Sequence, residues 1–211
     1  MISTGTNIDD TIFEGGLPEG CLLNVHIPSQ SDTSSFIHQL IEYNSDKPTL
    51  FISTSLSESS IQRSFNNYGI ISDNNFPQIE DLSRERDRVQ QLTKSVESRF
   101  PEDSLVIIDS LTQLEQAEES TDRLFDELNQ AVEEKNMTVV FLTDKESSEV
   151  VSPETNRILD GILSFEDSYD NEDRVIYLEE NKLEDDAGHE ERYAITFNGN
   201  GELQNDTMRG I

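Results

Sequence analysis

The sequence has few of the residues that form disulfides, coordinate zinc or bind polyanions. It contains one cysteine, Cys21, and no tryptophan, so an intramolecular disulfide and a cysteine-rich zinc site are excluded. Only 15 residues are Lys or Arg, against 44 that are Asp or Glu. Because nucleic-acid phosphates are bound mainly by Lys and Arg, we expect no direct contact with nucleic acid.

Long apolar runs are also missing. The first ten residues lack the basic start and apolar segment of a signal peptide, and no stretch approaches 18 apolar residues. We therefore expect a cytoplasmic protein that does not contact a membrane. Ile, Leu, Val and Phe nevertheless account for 57 of the 211 residues, which exceeds the fraction of about 20% below which disorder prevails. The chain is long enough for one domain, which we place over residues 1–211.

The acidic residues are spread over the whole chain, and the formal net charge is −29. Such a charge destabilises a compact fold through self-repulsion in dilute salt. In molar salt the Debye length falls to about 3 Å, and the repulsion is largely screened. The composition resembles that of proteins from salt-accumulating halophiles, in particular haloarchaea. An ordinary acidic protein is the alternative.

Apolar runs alternate with amphipathic stretches in the manner of an α/β protein. The pattern predicts strands over 21–27, 49–54, 104–110 and 137–143, and helices over 35–43, 56–69, 84–100 and 120–136. The run 104–110 is nearly continuous in apolar residues, which is typical of a parallel strand covered on both faces. Three short β segments with an Asn-Gly turn follow towards the C-terminus. We predict an α/β fold with a mainly parallel central sheet, flanking helices and a C-terminal β-hairpin extension.

A strand, a small polar loop, a helix and a later Asp at a strand end form the layout of a phosphate-loop nucleotide site. In such a loop, backbone N–H groups surround the phosphates, a Lys contacts the outer phosphates and a hydroxyl binds Mg²⁺. Asp109 has the strand-end position, from which it would support the metal. However, the chain contains no GxxxxGK[ST] motif.

The N-terminal segment resembles the opening of KaiC-like ATPases of the RecA superfamily. The resemblance lies in TG at 4–5, an Asp at 9 or 10 and GGLPEG at 15–20. VIIDSL resembles the family's second nucleotide motif, VVFLT its next strand, and RYAITFNGNGEL its closing hairpin. The resemblance extends over essentially the whole chain. It implies a RecA-like fold and subunits that assemble with nucleotide at their interface.

Aligned with that family without gaps, residues 27–34 correspond to the phosphate loop and read IPSQSDTS. Ile27 and Asp32 then replace two glycines, Thr33 replaces the Lys, and Ser34 keeps the hydroxyl of the Mg²⁺ ligand. A β-branched residue, an added carboxylate and a lost ammonium all oppose phosphate binding. The vestigial nucleotide site implied by the resemblance consists of Pro28, Ser29, Ser31, Asp32, Thr33, Ser34, Ser35 and Asp109.

Two further parts of the family's catalytic machinery are altered. Its two adjacent Glu residues, the general base, correspond to Ser55 and Leu56. Glu58 is either a displaced base or a surface residue favoured by the start of a helix. The family's Lys-x-Arg pair, which contacts the neighbouring subunit's site, falls in LEENKLEDD, where Lys182 is the only cation.

Three altered parts on a preserved scaffold predict a pseudo-ATPase that needs no metal or cofactor. It would regulate or scaffold an assembly through protein contacts, as a homo-oligomer or with an active RecA/KaiC-family relative. A divergent ATPase in signalling or DNA repair, holding Mg–ATP through Ser34 and Asp109, is the alternative. A DNA-repair accessory like the RadA paralogues is a third hypothesis, in which a partner would supply the DNA contact.

The densest positive cluster contains Arg84, Arg86 and Arg88. Glu85 and Asp87 are interleaved with these arginines. The alternation predicts a helix start whose charges compensate one another, and contact with an acidic partner is the alternative.

Overall fold

A computed structural model describes residues 1–5, 15–27, 34–68, 76–117, 121–144, 151–170, 173–182, 192–197 and 203–205. Its strands are β1 (Leu22–Ile27), β2 (Thr49–Ser53), β3 (Gln78–Asp81), β4 (Leu105–Asp109), β5 (Thr138–Asp144), β6 (Gly161–Asp170), β7 (Asp173–Lys182), β8 (Arg192–Phe197) and β9 (Leu203–Asn205). Its helices are α1 (Ser34–Tyr43), α2 (Glu58–Tyr68), α3 (Arg88–Arg99), α4 (Leu111–Glu115), α5 (Asp122–Lys135) and α6 (Pro153–Ile158). Within these ranges, no helix is both long and apolar enough to span a membrane.

The strands form one sheet in the order β3-β2-β4-β5-β1-β6-β7-β8-β9. The first six strands of that order pair in parallel. The strands β7, β8 and β9 extend the sheet by antiparallel pairing from β6. This architecture confirms the predicted fold class, including the β-hairpin extension at the C-terminal end.

The core consists of two apolar layers on the two faces of the sheet. Leu105 and Ile107 of β4 pack in the layer that contains Phe36 of α1 and residues of α2. Val106 and Ile108 pack on the opposite side, with residues of α3, α4 and α5. All four β4 side chains have no exposed surface, as expected for a parallel strand covered on both faces.

A chain of polar side chains crosses three strands in the interior of the sheet. Thr143 Oγ1 of β5 donates to Asn24 Oδ1 of β1 over 2.8 Å. Asn24 Nδ2 lies 3.1 Å from His26 Nε2, and His26 Nδ1 lies 3.1 Å from Ser164 Oγ of β6. Because the amide nitrogen is a donor, His26 Nε2 accepts and His26 Nδ1 carries the proton.

The N-terminus is fixed to the loop that precedes β1. Ile2 and Leu17 exchange two backbone hydrogen bonds, with N–O distances of 2.7 and 2.8 Å. Glu19 accepts from the N-terminal ammonium at 2.9 Å and from Lys47 Nζ at 2.8 Å. Lys47 therefore lowers the pKa of the Glu19 carboxyl, and the N-terminal ammonium lowers it further.

The predicted helix over 84–100 is wrong at its start, because α3 begins at Arg88. Asp81 Oδ1 accepts from the Ser83 N–H at 2.9 Å and from its hydroxyl at 2.6 Å, and the Glu85 N–H donates to the Leu82 carbonyl at 3.1 Å. These local bonds hold a turn where the pattern predicted helix. The strand β3 and the short helices α4 and α6 were not predicted.

Candidate functional site

The carboxyl ends of the parallel strands form the edge where α/β proteins usually bind ligands. Here β5 lies between β4 and β1, so the carboxyl ends of β4 and β1 are about 10 Å apart, two strand spacings. The structure places Asp109 at this edge, as the last residue of β4. Ser34 and Ser35 begin α1, and only their backbone is described. The other predicted site residues lie outside the described part: Pro28, Ser29, Ser31, Asp32 and Thr33.

The Asp109 carboxyl accepts hydrogen bonds from two serines of the neighbouring strand end. Ser53 is its register partner on β2. Ser55 Oγ donates to Asp109 Oδ2 at 2.7 Å, and Ser53 Oγ donates to the same oxygen at 3.4 Å. Burial raises the pKa of the Asp109 carboxyl above its usual range, and the hydrogen bonds from Ser55 and Ser53 oppose that rise. A carboxyl group in such surroundings is a candidate functional group.

Thr54 holds the backbone that follows Asp109. Its hydroxyl donates to the Asp109 carbonyl at 3.2 Å and accepts from the Ser110 N–H at 2.9 Å. The peptide bond between Asp109 and Ser110 is cis. Ser110 then caps α4, since its hydroxyl accepts from the Gln113 N–H at 3.4 Å. The ends of β2 and β4 are thus joined by both side-chain and backbone contacts.

The positions that the resemblance assigns to the general base hold no carboxylate. Ser55 is exposed and bonded to Asp109, and the Leu56 side chain is 48% exposed. Glu58 Oε1 accepts from Gln62 Nε2 at 2.8 Å, one helical turn further along α2. This i,i+4 contact on the exposed face of α2 favours the surface interpretation of Glu58 over the displaced base.

Arg88 contacts this edge through neutral oxygens. Its Nη1 donates to the Thr54 carbonyl and to Gln113 Oε1, both at 3.3 Å. Asp87 instead accepts from Gln91 Nε2 at 3.0 Å. Among the described side chains Arg88 forms no ion pair, so the predicted self-compensated helix start is not observed here. No sequence signal identifies Arg88 as a neighbour of Thr54, because the contact depends on the tertiary fold.

The described donor set fits a nucleotide-bound Mg²⁺ poorly. Within the described ranges, no group of three or more His, Cys, Asp or Glu residues is arranged as a metal site. Mg²⁺ is usually bound through one or two carboxylates together with substrate phosphates. Oδ2 of Asp109 already accepts two hydroxyl hydrogen bonds, and the sequence supplies no phosphate-loop Lys.

Solved structures that are similar to this chain include two proteins of the same architecture. The flagellar accessory protein FlaH from Methanocaldococcus jannaschii is 14% identical, with a TM-score of 0.73 over 94% of this chain and 95% of its own. The KaiC-like protein PH0186 from Pyrococcus horikoshii is 15% identical, with a TM-score of 0.69 over 98% of both chains. At such low identity these likenesses show the fold alone. They confirm the expected RecA-like, KaiC-like fold.

Comparison with curated protein sequences gave no significant match. A family model does match, and it does so from the first residue to the last. The chain, over residues 1–211, belongs to DUF7125, a family of unknown function.

Proposed function

We propose that this protein is a non-catalytic KaiC/RecA-like pseudo-ATPase of a halophile. It acts in the cytoplasm as a regulatory or scaffolding protein through contacts with other proteins. The fold and its ligand-binding edge are kept, whereas the groups that would hydrolyse ATP are replaced.

The contact between Ser55 and Asp109 carries this proposal. A general base must remove a proton from the attacking water, which requires a group with a pKa near the operating pH. The hydroxyl of Ser55 stands where the resemblance places a Glu, and it donates to Asp109 at 2.7 Å. Glu58, the one alternative that the sequence offers, is paired along α2. Among the described residues, no Glu at this edge therefore takes the place of the family's base.

The composition of the loop after β1 supports the same proposal. Asp32 adds a negative charge and Thr33 removes a positive one at positions that would face phosphate. At about 4 Å and an effective dielectric constant of about 20, each unit charge changes the interaction with a phosphate charge by about 4 kcal/mol. Two such changes are sufficient to abolish ordinary ATP affinity.

The preserved fold supports the proposed role in an assembly. FlaH, with the same fold, is a flagellar accessory protein. An accessory or scaffolding role requires surfaces rather than turnover. We therefore propose that the partner is a protein, for example an active member of the RecA/KaiC families, and that the assembly is homo- or hetero-oligomeric.

ATP binding in molar KCl with Mg²⁺, measured by calorimetry, tests the loss of the nucleotide site. We expect no saturable binding of ATP at millimolar concentration. The double variant Asp32→Gly/Thr33→Lys restores the second Gly and the Lys of the loop and is expected to gain affinity. Ser59→Ala, on α2, is the matched control and should leave binding unchanged. Micromolar affinity of the native chain that is lost in Asp109→Ala would contradict the proposal and favour the divergent ATPase.

A second measurement addresses the assembly. Affinity purification from native cells at the cell's own salt concentration should recover a protein partner in defined stoichiometry. A chain that elutes alone and monomeric would contradict the scaffolding role. A shift of DNA in low salt by the chain together with its recovered partner would instead favour the DNA-repair hypothesis.

A further inference from the structure

Ser55 differs from the serines that follow it in the partner of its hydroxyl. Its Oγ donates to the Asp109 carboxyl at 2.7 Å, and the residue is exposed. Ser57 Oγ instead lies 3.2 Å from Ser59 Oγ and 2.9 Å from Ser60 Oγ. Of these four serines, only Ser55 is hydrogen-bonded to a carboxylate among the described residues.

We propose that Ser55 is a phosphoryl-acceptor site, with Asp109 as its general base and Arg88 as the partner of the phosphate. The phosphoryl donor is a nucleoside triphosphate held by another protein. This inference goes beyond the pseudo-ATPase proposal, because a serine modified once per molecule requires no turnover by this chain.

The arrangement satisfies the geometry of nucleophilic activation. A nucleophile and its base must lie within hydrogen-bond reach, with a third group orienting the base. Ser55 is the nucleophile, Asp109 the base, and Ser53 the third group, since its hydroxyl donates to the same carboxyl oxygen at 3.4 Å. Burial raises the pKa of Asp109, and a base is more effective when its pKa is closer to the operating pH.

The transfer step involves Ser55, Asp109 and the nucleoside triphosphate that the other protein holds. A lone pair of Ser55 Oγ attacks the γ-phosphorus and forms the new P–O bond. The bond from that phosphorus to the bridging oxygen breaks, and its electron pair leaves with the nucleoside diphosphate. The hydroxyl proton passes to Asp109 Oδ2 and is later released to water. An Asp has this proton-accepting role in protein kinases.

The position of Arg88 favours a phosphoryl group at this edge. Within the described ranges its guanidinium bonds to neutral oxygens, one of which is the carbonyl of Thr54, the residue before Ser55. A phosphoserine carries a charge of about −1.5 to −2 and pairs readily with Arg. A half-buried cation without a carboxylate partner among the described residues therefore contacts the backbone of the residue that precedes the acceptor serine.

The test measures the nucleophilicity of Ser55 in the intact chain. A fluorophosphonate, whose fluoride is displaced by an activated hydroxyl, is incubated with the protein in molar KCl. Peptide mass spectrometry then gives the modification rate at each serine. We expect Ser55 to react about a hundredfold faster than Ser59, the size of a general-base effect. Equal rates at Ser55 and Ser59 would overturn the proposal.

Variants and a pH profile separate the roles of the two charged residues. Asp109→Asn should lower the rate at Ser55 to that at Ser59, and Arg88→Gln should lower it more than Arg84→Gln, its exposed control. If Asp109→Asn does not fold, the native chain decides the question. Its rate at Ser55 should fall as acid protonates Asp109, and a flat profile would refute the role of the base.

The phosphoryl-acceptor proposal and the pseudo-ATPase proposal can be contradicted independently of each other. Radiolabelled Mg–ATP is added to the native chain alone, and Ser55 is examined for phosphate. Incorporation would support the acceptor site and contradict the pseudo-ATPase proposal, since the chain would then bind the nucleotide itself. Fluorophosphonate labelling of Ser55 without incorporation from ATP would support both proposals.

Discussion

Gly15 and Gly16 form a matched pair for testing the N-terminal contacts of this fold. Both have a left-handed backbone, with φ of +123° and +124°, and both belong to the GGLPEG stretch. A Cβ at Gly15 would meet no atom within 4 Å, whereas a Cβ at Gly16 would lie 2.5 Å from the carbonyl oxygen of Ile2. Alanine therefore introduces the same backbone strain at both positions and a steric clash at only one.

The two costs can be worked out from the structure. A positive φ costs an L-residue about 1–2 kcal/mol, which is the expected destabilisation for Gly15→Ala. In Gly16→Ala, Ile2 must also move away from Leu17, with the loss of two hydrogen bonds of 2.7 and 2.8 Å. Each is worth about 1 kcal/mol. Ile2 is 1% exposed, and its burial contributes about 1.5–3 kcal/mol. We expect Gly16→Ala to be the more destabilising by about 3–5 kcal/mol.

Urea denaturation in molar KCl, followed by circular dichroism, measures the free energy of unfolding of both variants. Urea is preferred because it leaves the ionic strength unchanged. Equal destabilisation of Gly15→Ala and Gly16→Ala would refute the reasoning, because the clash with Ile2 would then have no cost. A change in the m-value would instead show that the N-terminal segment detaches before the rest unfolds.

Four further predictions concern charge. The free energy of unfolding should fall steeply when KCl is diluted to tens of millimolar, because the self-repulsion of −29 charges is then unscreened; a salt-independent midpoint would contradict the halophilic origin. Burial raises the pKa of Asp109, so its ionisation costs more in the folded chain than in the unfolded one; stability should fall as the pH rises through the raised pKa, and Asp109→Asn should remove that fall. Lys47 lowers the pKa of Glu19, so the contribution of Glu19 is present above its ordinary pKa and is lost as the pH falls through the lowered one; Glu19→Gln should remove this loss in urea titrations at acid pH. Lys135 Nζ donates to two carbonyls of the last turn of α3 and its C-cap at 3.2 Å each, and Lys135→Met should cost about 1–3 kcal/mol in thermal or urea unfolding.

The central strands could be predicted because burial on both faces leaves a continuous apolar run. The run 104–110 contains β4, whose residues face both core layers. The edge strand β3 reads QIED and contains one apolar residue, so its sequence does not differ from a polar loop. Edge strands pair on one side only, and short charged ones are typical of sheet edges.

The candidate site was predicted only in part. Asp109 was identified from its position after an apolar run, because such an Asp lies at the carboxyl edge of a parallel sheet. The approach of Ser53 and Ser55 to its carboxyl depends on which strand lies next to β4. Strand order is not encoded in any local pattern, and Ser53 and Asp109, which are 56 positions apart, carry no signal of their pairing. The contact of Arg88 with Thr54 could not be predicted from the sequence for the same reason.

The polar chain from Thr143 through Asn24 and His26 to Ser164 determines the alignment of three strands. Side chains alternate between the two faces of a sheet, so a shift of one residue in β1 would bring Asn24 and His26 into the apolar layer that now contains Leu23 and Val25. Three hydrogen bonds would then lose their partners in a dry interior. The aliphatic residues of β1 alone would tolerate such a slip far better. A few polar groups thus select one register among several of similar hydrophobicity, which fixes the position of the carboxyl end of β1 relative to β5 and β6.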